Sequence, residues 1–144
     1  MKMIELASGT SVWRGMDYYE SKKVTDWTEI SPTIYEGHVQ GSAFEPYTVR
    51  IDTVHPRRSV CNCAFAAGRH VICKHMIALY FTAVPQAVQD FEDMVKQWEK
   101  EQEEQQQKHL AELRAYVRSL SKKELQEQLY NALLEIKDLN QRRW

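Results

Sequence analysis

The chain has 144 residues, three cysteines and a formal net charge of −1, and 43% of its residues are hydrophobic and 27% charged. This length leaves room for one modest domain with an appendage, not for two enzyme cores, and the composition is typical of a globular chain rather than a disordered one. A net charge so close to zero, taken over the whole chain, is untypical of a general nucleic-acid binder.

Apolar segments in this chain are short. The longest apolar run, residues 76–84, ends before Pro85 and is much shorter than the roughly 20 residues that a membrane-spanning helix needs. The first ten residues, MKMIELASGT, lack the apolar block and cleavage site of a secretory signal. We therefore expect no membrane segment and a cytoplasmic, intracellular location.

The first half of the chain predicts a short helix followed by a small antiparallel sheet. Residues 11–22 fit a helix with one apolar side. Residues 33–39 alternate, with Tyr35, Gly37 and Val39 on one face, and residues 47–51 alternate again after a turn at 41–46. Four aromatic residues are expected to be core residues rather than a ligand platform: Trp13, Tyr18, Tyr19 and Trp27.

All three cysteines fall in the segment CNCAFAAGRHVICKH, residues 61–75, which ends on a histidine. An odd number of thiols in a reducing compartment does not suit a disulfide framework. A Cys-x-Cys pair on a bent extended segment and a later Cys-x-His at a helix start can close a tetrahedron around one ion. Three thiolates and an imidazole suit zinc, so we predict a structural zinc site at Cys61, Cys63, Cys73 and His75.

Other assignments compete with this one. His70 and His55 lie close enough in sequence to compete as the fourth ligand, although His75 sits at the head of the apolar segment 76–81, which predicts a buried helix. Cys63 with His75 could also form a thiol nucleophile and its base, but zinc explains all four residues and catalysis only two. Neither a phosphate-binding loop nor a nucleophile elbow is present, so we expect no catalytic residue, no small-molecule substrate and no enzyme.

The pattern Cys61-x-Cys63, nine residues, Cys73-x-His75 resembles the SWIM zinc finger, whose pattern is C-x-C, a variable spacer and C-x-H. The strand residues Tyr47, Val49 and Ile51 before it, and the phrase CKHMIAL, resemble that family as well. Looser similarity to bacterial SWIM proteins extends through WRGMDYYESKKV and VQGSAFEPYTV, so that the resemblance covers roughly residues 11–84. The family occurs in Swi/Snf-type ATPases, Mutator-type transposases, recombination accessory proteins and some ubiquitin-pathway proteins. The resemblance implies a structural zinc ion and a role in binding DNA or protein.

Charge is unevenly distributed around the predicted finger. Residues 53–89 contain no acidic side chain and four basic ones, which we predict as nucleic-acid contacts: Arg57, Arg58, Arg69 and Lys74. Arginine suits phosphate because its planar group presents several donors at once. The alternative is a solvated rim around the zinc site, since four basic residues alone are a weak signal.

After Pro85 the sequence predicts a long helix over 86–120. A second helix is predicted over 122–141, and it begins with the capping box Ser121-Lys122-Lys123-Glu124. The stretch 98–109 is polar on every face. The second helix carries an apolar stripe predicted to bind a protein partner, to self-associate as a coiled coil or to close a helical hairpin: Leu125, Leu129, Leu133, Ile136 and Leu139. A plain polar helix is the alternative.

Together these patterns predict an α+β protein. Residues 1–84 form a SWIM-type zinc-binding domain, with a small antiparallel sheet and a ββα-like CCCH finger. Residues 85–144 form a helical arm or helical hairpin. The function predicted is a non-catalytic, nucleic-acid-associated adaptor in recombination, repair, transposition or remodelling. The alternative is a protein adaptor that docks an ATPase or recombinase through the arm and does not contact DNA or RNA.

Overall fold

The computed structural model describes residues 2–142 and divides between Met94 and Val95 into two compact units. The elements run in chain order as follows: α1 Lys2–Leu6, α2 Gly9–Glu20, β1 Val24–Ser31, β2 Ile34–Val39, β3 Tyr47–Asp52, a 3₁₀ turn Pro56–Arg58, β4 Val60–Cys61, α3 Lys74–Ala83, α4 Pro85–Ser119 and α5 Lys122–Arg142. Because one antiparallel sheet is combined with long helices and a Cys/His cluster, the predicted α+β class is confirmed.

Helix α2 begins at a capped turn and packs closely on α3. The Ser8 hydroxyl accepts a hydrogen bond from the Ser11 amide at 3.1 Å, which satisfies a free N–H of the first turn. Gly15 lies on the buried side of the helix, and a Cβ atom added there would collide with the side chain of Ile77 and lie 3.0 Å from the Lys74 carbonyl. A glycine is therefore required where the two helix backbones approach each other.

The sheet has the order β1-β2-β3-β4, with each neighbouring pair antiparallel. In the β2–β3 pair, Tyr35 lies opposite Ile51 and Gly37 lies opposite Val49. Tyr35, Gly37 and Val39 are all buried, as the alternation predicts, because period-two spacing places them on the one face that meets the helices.

Helix α3 is the centre of the first unit. Every residue from His75 to Phe81 is buried, as the apolar run predicts. The Phe81 ring packs 6.1 Å from Tyr19 and 5.5 Å from Phe91 of α4. Burial of this run supplies the main hydrophobic stabilisation of the unit.

The prediction that all four early aromatic residues are core residues was wrong for two of them. Trp13 is 52% exposed and covers the edge of the Phe91 ring at 5.2 Å, and Trp27 is 42% exposed beside Tyr35. Both indoles lie at the margin of the apolar interior, because α2 has a solvent-facing side and β1 is an edge strand that buries no residue. Tyr18 and Tyr19 are half-buried.

The first ten residues of α4 belong to the first unit, where Ala87 and Phe91 are buried. The domain limits 1–84 and 85–144 stay a prediction; the compact units divide ten residues later because Phe91 packs in the core around Phe81. From residue 96 to residue 142, every residue except Leu120 is exposed. The second unit is thus helical without an interior of its own in the described chain.

Candidate metal centre

The Cys-x-Cys pair is held by the edge of the sheet. Cys61 ends β4 and lies opposite Val49 of β3. Between the two cysteines, Asn62 uses its side-chain oxygen to accept a hydrogen bond from the Thr48 amide at 2.9 Å. Two amides of the following turn, those of Ala66 and Ala67, donate to the Cys63 carbonyl. The bend that turns both thiols to one side is therefore fixed by hydrogen bonds to β3 and to the turn.

The Cys-x-His pair lies at the start of α3. Cys73 is the residue that caps this helix, with extended backbone angles, and its carbonyl accepts the hydrogen bond of the Ile77 amide at 3.2 Å. His75 is the second residue of the helix. The positive end of the helix favours the thiolate of Cys73, so the local fold supplies part of the charge that the cluster needs.

These two segments bring Cys61, Cys63, Cys73 and His75 together, with one ligand atom of each within 4.8 Å of every other. Both Cys61 Sγ and Cys73 Sγ lie 3.8 Å from His75 Nδ1. Each of the four residues is at most 4% exposed. Ligand atoms at about 2.0 to 2.3 Å from a tetrahedral ion are roughly 3.5 to 3.8 Å apart, so the group can hold a metal ion after small adjustments.

Ionisation within the cluster is unequal. The pKa of Cys73 is lowered from 9.0 to about 4, mainly because the Cys61 thiol donates to its sulfur, with a further contribution from His75. The pKa of Cys61 is raised, first by that same hydrogen bond and then by burial. A divalent ion bound by these residues would favour the thiolate form of the cysteines, because the thiolate is the form that binds metals.

The His75 ring is held between two tyrosines. Tyr47 lies at 4.5 Å with an interplanar angle of 37°, and Tyr18 meets the ring edge-on at 5.4 Å. A Cβ atom on Gly41 would collide with Tyr47 and lie 3.1 Å from His75 Nε2. Nε2 is buried and has no hydrogen-bond partner within residues 2–142. Because Nδ1 faces two sulfur atoms, Nδ1 is the nitrogen positioned to bind an ion.

The two competing histidines lie outside the cluster. His55 and His70 are both exposed, and His70 Nδ1 lies 3.1 Å from the backbone oxygen of Arg57. This contact joins the 3₁₀ turn before the first cysteine to the loop between the two ligand pairs. Arg57 and Arg58 are exposed on that turn, and Arg69 is exposed on that loop.

Two of the four basic side chains predicted to contact nucleic acid make contacts within the chain itself. The Arg69 guanidinium donates to the Phe65 carbonyl at 3.1 Å and lies 5.1 Å from the centre of the Phe65 ring. Lys74 is half-buried, and its Nζ lies 4.9 Å from the centre of the Tyr18 ring. Both side chains are thereby oriented, and each keeps donors free for an anionic ligand.

A cleft of about 320 Å³ opens beside the cluster. Its walls include Cys63, Cys73 and His75 on one side and the polar start of α2 on the other. Arg14 lines this cleft together with Lys74. Sequence reasoning missed Arg14 and Asn62, because neither belongs to the ligand pattern; the only available signals were the position of Asn62 between two cysteines and that of Arg14 near the predicted helix face.

The predicted partner-binding residues all lie on α5 and are exposed: Leu125, Leu129, Leu133, Ile136 and Leu139. Their helix buries no side chain.

The predicted absence of catalytic residues stays a prediction. Within residues 2–142, no helix combines the length and the apolar character that crossing a membrane requires.

Comparisons of this chain with protein-family models, with curated proteins and with solved structures found no match.

Proposed function

We propose that the chain is a non-catalytic zinc-binding module that acts as a nucleic-acid-associated adaptor. The observation that carries the proposal is the buried group of three thiols and one imidazole, whose ligand atoms lie within 4.8 Å of one another. This donor set favours zinc, because thiolates select soft or borderline ions and a Cys₃His set is typical of tetrahedral structural zinc.

In this proposal the zinc ion is structural. Four protein ligands fill a tetrahedral site and leave no open position for a substrate or an activated water. The ion links β4 to the start of α3, and thus the edge of the sheet to the central helix. The spacing of the ligands supports a SWIM-type finger, and we assign the chain to that type as part of the proposal.

The nucleic-acid role is supported by the charge around the centre. Arg57, Arg58 and Arg69 are exposed on two loops that the His70 contact joins. Arg14 and Lys74 line the adjacent cleft. With no acidic residue from 53 to 89, phosphate groups would meet little opposing charge on these loops.

One observation favours the second candidate, a protein adaptor that does not contact nucleic acid. The apolar residues on α5 are exposed along its whole length, and contiguous exposed apolar surface commonly marks a protein interaction site. In that case a protein partner would bind through the arm, and the basic loops would be an ordinary solvated surface.

The test is zinc content followed by binding of zinc-loaded protein to labelled single- and double-stranded DNA and RNA at two salt concentrations. One zinc ion per chain is expected. Binding should weaken steeply with salt, and changing Arg57, Arg58 and Arg69 to alanine should reduce the slope by about 2 to 3, because each lost phosphate contact removes roughly 0.7 to 0.9.

The matched control removes three positive charges elsewhere, by changing Lys96, Lys100 and Lys108 of α4 to alanine. This variant should keep the affinity and the salt slope. Zinc-loaded protein that binds no nucleic acid at low salt would refute the nucleic-acid role and favour the protein adaptor. Absence of stoichiometric zinc would refute the proposal as a whole.

A further inference from the structure

Helix α5 carries an apolar stripe with regular heptad spacing. Leu125, Leu129, Ala132, Ile136 and Leu139 follow one another at intervals of four, three, four and three residues. At 3.6 residues per turn these positions lie on one side of the helix. The four large residues among them are 38% to 63% exposed. A stripe of this kind is typical of a helix that packs against another helix.

The stripe is nearly symmetrical about Ala132. If a second copy of α5 lies antiparallel, Leu125 meets Leu139 of the second copy, Leu129 meets Ile136, and Ala132 meets Ala132. Every large apolar residue then faces another, and the small residue lies at the centre where the two backbones cross. A surface that matches itself in this way satisfies the requirement of a two-fold dimer, in which each contact occurs twice.

Charged residues beside the stripe favour the same arrangement. Glu124 and Arg142 lie on the same flank, since they are five helical turns apart. The antiparallel alignment brings Glu124 of each copy within reach of Arg142 of the other, and Glu135 beside the neutral Gln128. In a parallel alignment Glu124 and Arg142 would be separated by about 27 Å along the axis. Opposite charges therefore meet only in the antiparallel pair.

The rest of the described chain leaves this face uncovered. Helix α5 buries no side chain, and the apolar residues Leu110, Leu113 and Val117 of α4 are about half exposed as well. The first turn of α5 is already fixed by the capping box, in which the Ser121 amide donates to Glu124 and the Glu124 amide donates to Ser121. The helix is thus formed locally and remains available for a partner.

We propose that the occupant of this face is a second copy of the chain, bound through an antiparallel α5–α5 contact. The proposal rests on the stripe and its charges alone, and not on zinc or nucleic acid. Helix α5 has 21 residues, or about 31 Å, which gives three heptads. A contact of this length is small, so the dimer should dissociate reversibly in about the micromolar range.

Sedimentation equilibrium of the full zinc-loaded chain over a wide concentration range tests the dimer. The expected result is a monomer–dimer equilibrium that Leu129→Asp weakens about a hundredfold or more, because two carboxylates would enter the apolar contact. Leu134→Asp places the same change on the opposite side of α5 and should leave the dimer intact. A chain that remains monomeric at the highest concentration overturns the proposal, and so does equal weakening by both variants.

Charge reversal tests the antiparallel direction. Arg142→Glu places two like-charged pairs in the contact and should weaken the dimer roughly tenfold. Gln141→Glu adds a negative charge to the same helical turn on the far side and controls for effects on the helix end. If Arg142→Glu matches its control, the antiparallel pairing is wrong.

Discussion

The two compact units differ in where their stability comes from. In the first unit, seven consecutive residues of α3 are buried against α2 and the sheet, and the four candidate ligands lie at one end of that core. In the second unit α5 buries nothing. The stability of the first unit therefore depends on a buried interior. The stability of the second depends on helix formation and on any partner that packs on its apolar stripe.

Local contacts support the arm over its polar stretch. The Gln97 side chain donates to Glu101 at 2.8 Å, and Lys100 lies 4.0 Å from Glu104, both at a spacing of four residues. Pairs of this kind contribute about 0.2 to 0.5 kcal/mol each on an exposed helix. Such contacts favour the helical state of this stretch and bury no side chain.

Removal of the metal should give the largest difference in response between the two units. Chelation of zinc-loaded protein should abolish amide exchange protection over residues 45–84 and leave the exchange rates of α5 unchanged. Structural zinc contributes about 10 to 16 kcal/mol in small zinc peptides, which exceeds the whole stability of many domains. Adding zinc back should restore protection. Full protection in metal-free protein would show that the apolar core alone holds the fold.

Truncating one leucine to alanine in each unit should give the next largest difference, measured in the free energy of unfolding. Leu79 is completely buried in α3, so Leu79→Ala should lower the free energy of unfolding by about 2 to 5 kcal/mol. Leu134 lies on α5 opposite the apolar stripe and is 43% exposed, so Leu134→Ala should change it by less than about 0.5 kcal/mol. Urea denaturation of the zinc-loaded variants measures both. Equal losses would mean that the arm has a buried interior.

Asn62 should affect the metal centre more than the fold. Asn62→Ala removes the acceptor for the Thr48 amide, and we expect zinc affinity to fall about two- to tenfold, the equivalent of one hydrogen bond. Asn62→Asp keeps the acceptor oxygen and should retain most of the affinity. Competition with a colorimetric chelator measures the difference. Identical affinities in all three proteins would show that the bend between the cysteines needs no support from β3.

The smallest expected effect is a pH dependence in the arm. The Ser121 amide and hydroxyl lower the pKa of Glu124 below its usual 4.5, because both hydrogen bonds favour the carboxylate. A lowered pKa in the folded state means that the cap is complete above pH 4.5 and is lost as the pH falls through the lowered value. The Ser121 amide resonance should titrate accordingly, and in Glu124→Gln it should not. A midpoint at or above 4.5 would contradict the capping box.

Much of the first unit could be predicted from local pattern. The alternation in β2 and the apolar run of α3 predict burial correctly, because alternate residues of β2 share one buried face and α3 is buried at every position from His75 to Phe81. Trp13 and Trp27 show where this reasoning fails. Hydrophobicity indicates that an indole prefers the interior, but only the packing of α2 and β1 determines how much interior is available at each position.

The sequence by itself determined the spacing of the three cysteines and His75, the capping box of α5 and the apolar stripe, since these depend on residues close together in the chain. Tertiary structure decided which histidine joins the thiols. The edge of the sheet and the start of α3 meet at His75, while His70 turns to the Arg57 carbonyl. It also placed Arg14 beside Lys74 at the cleft, because contacts between distant segments arise only when the core packs.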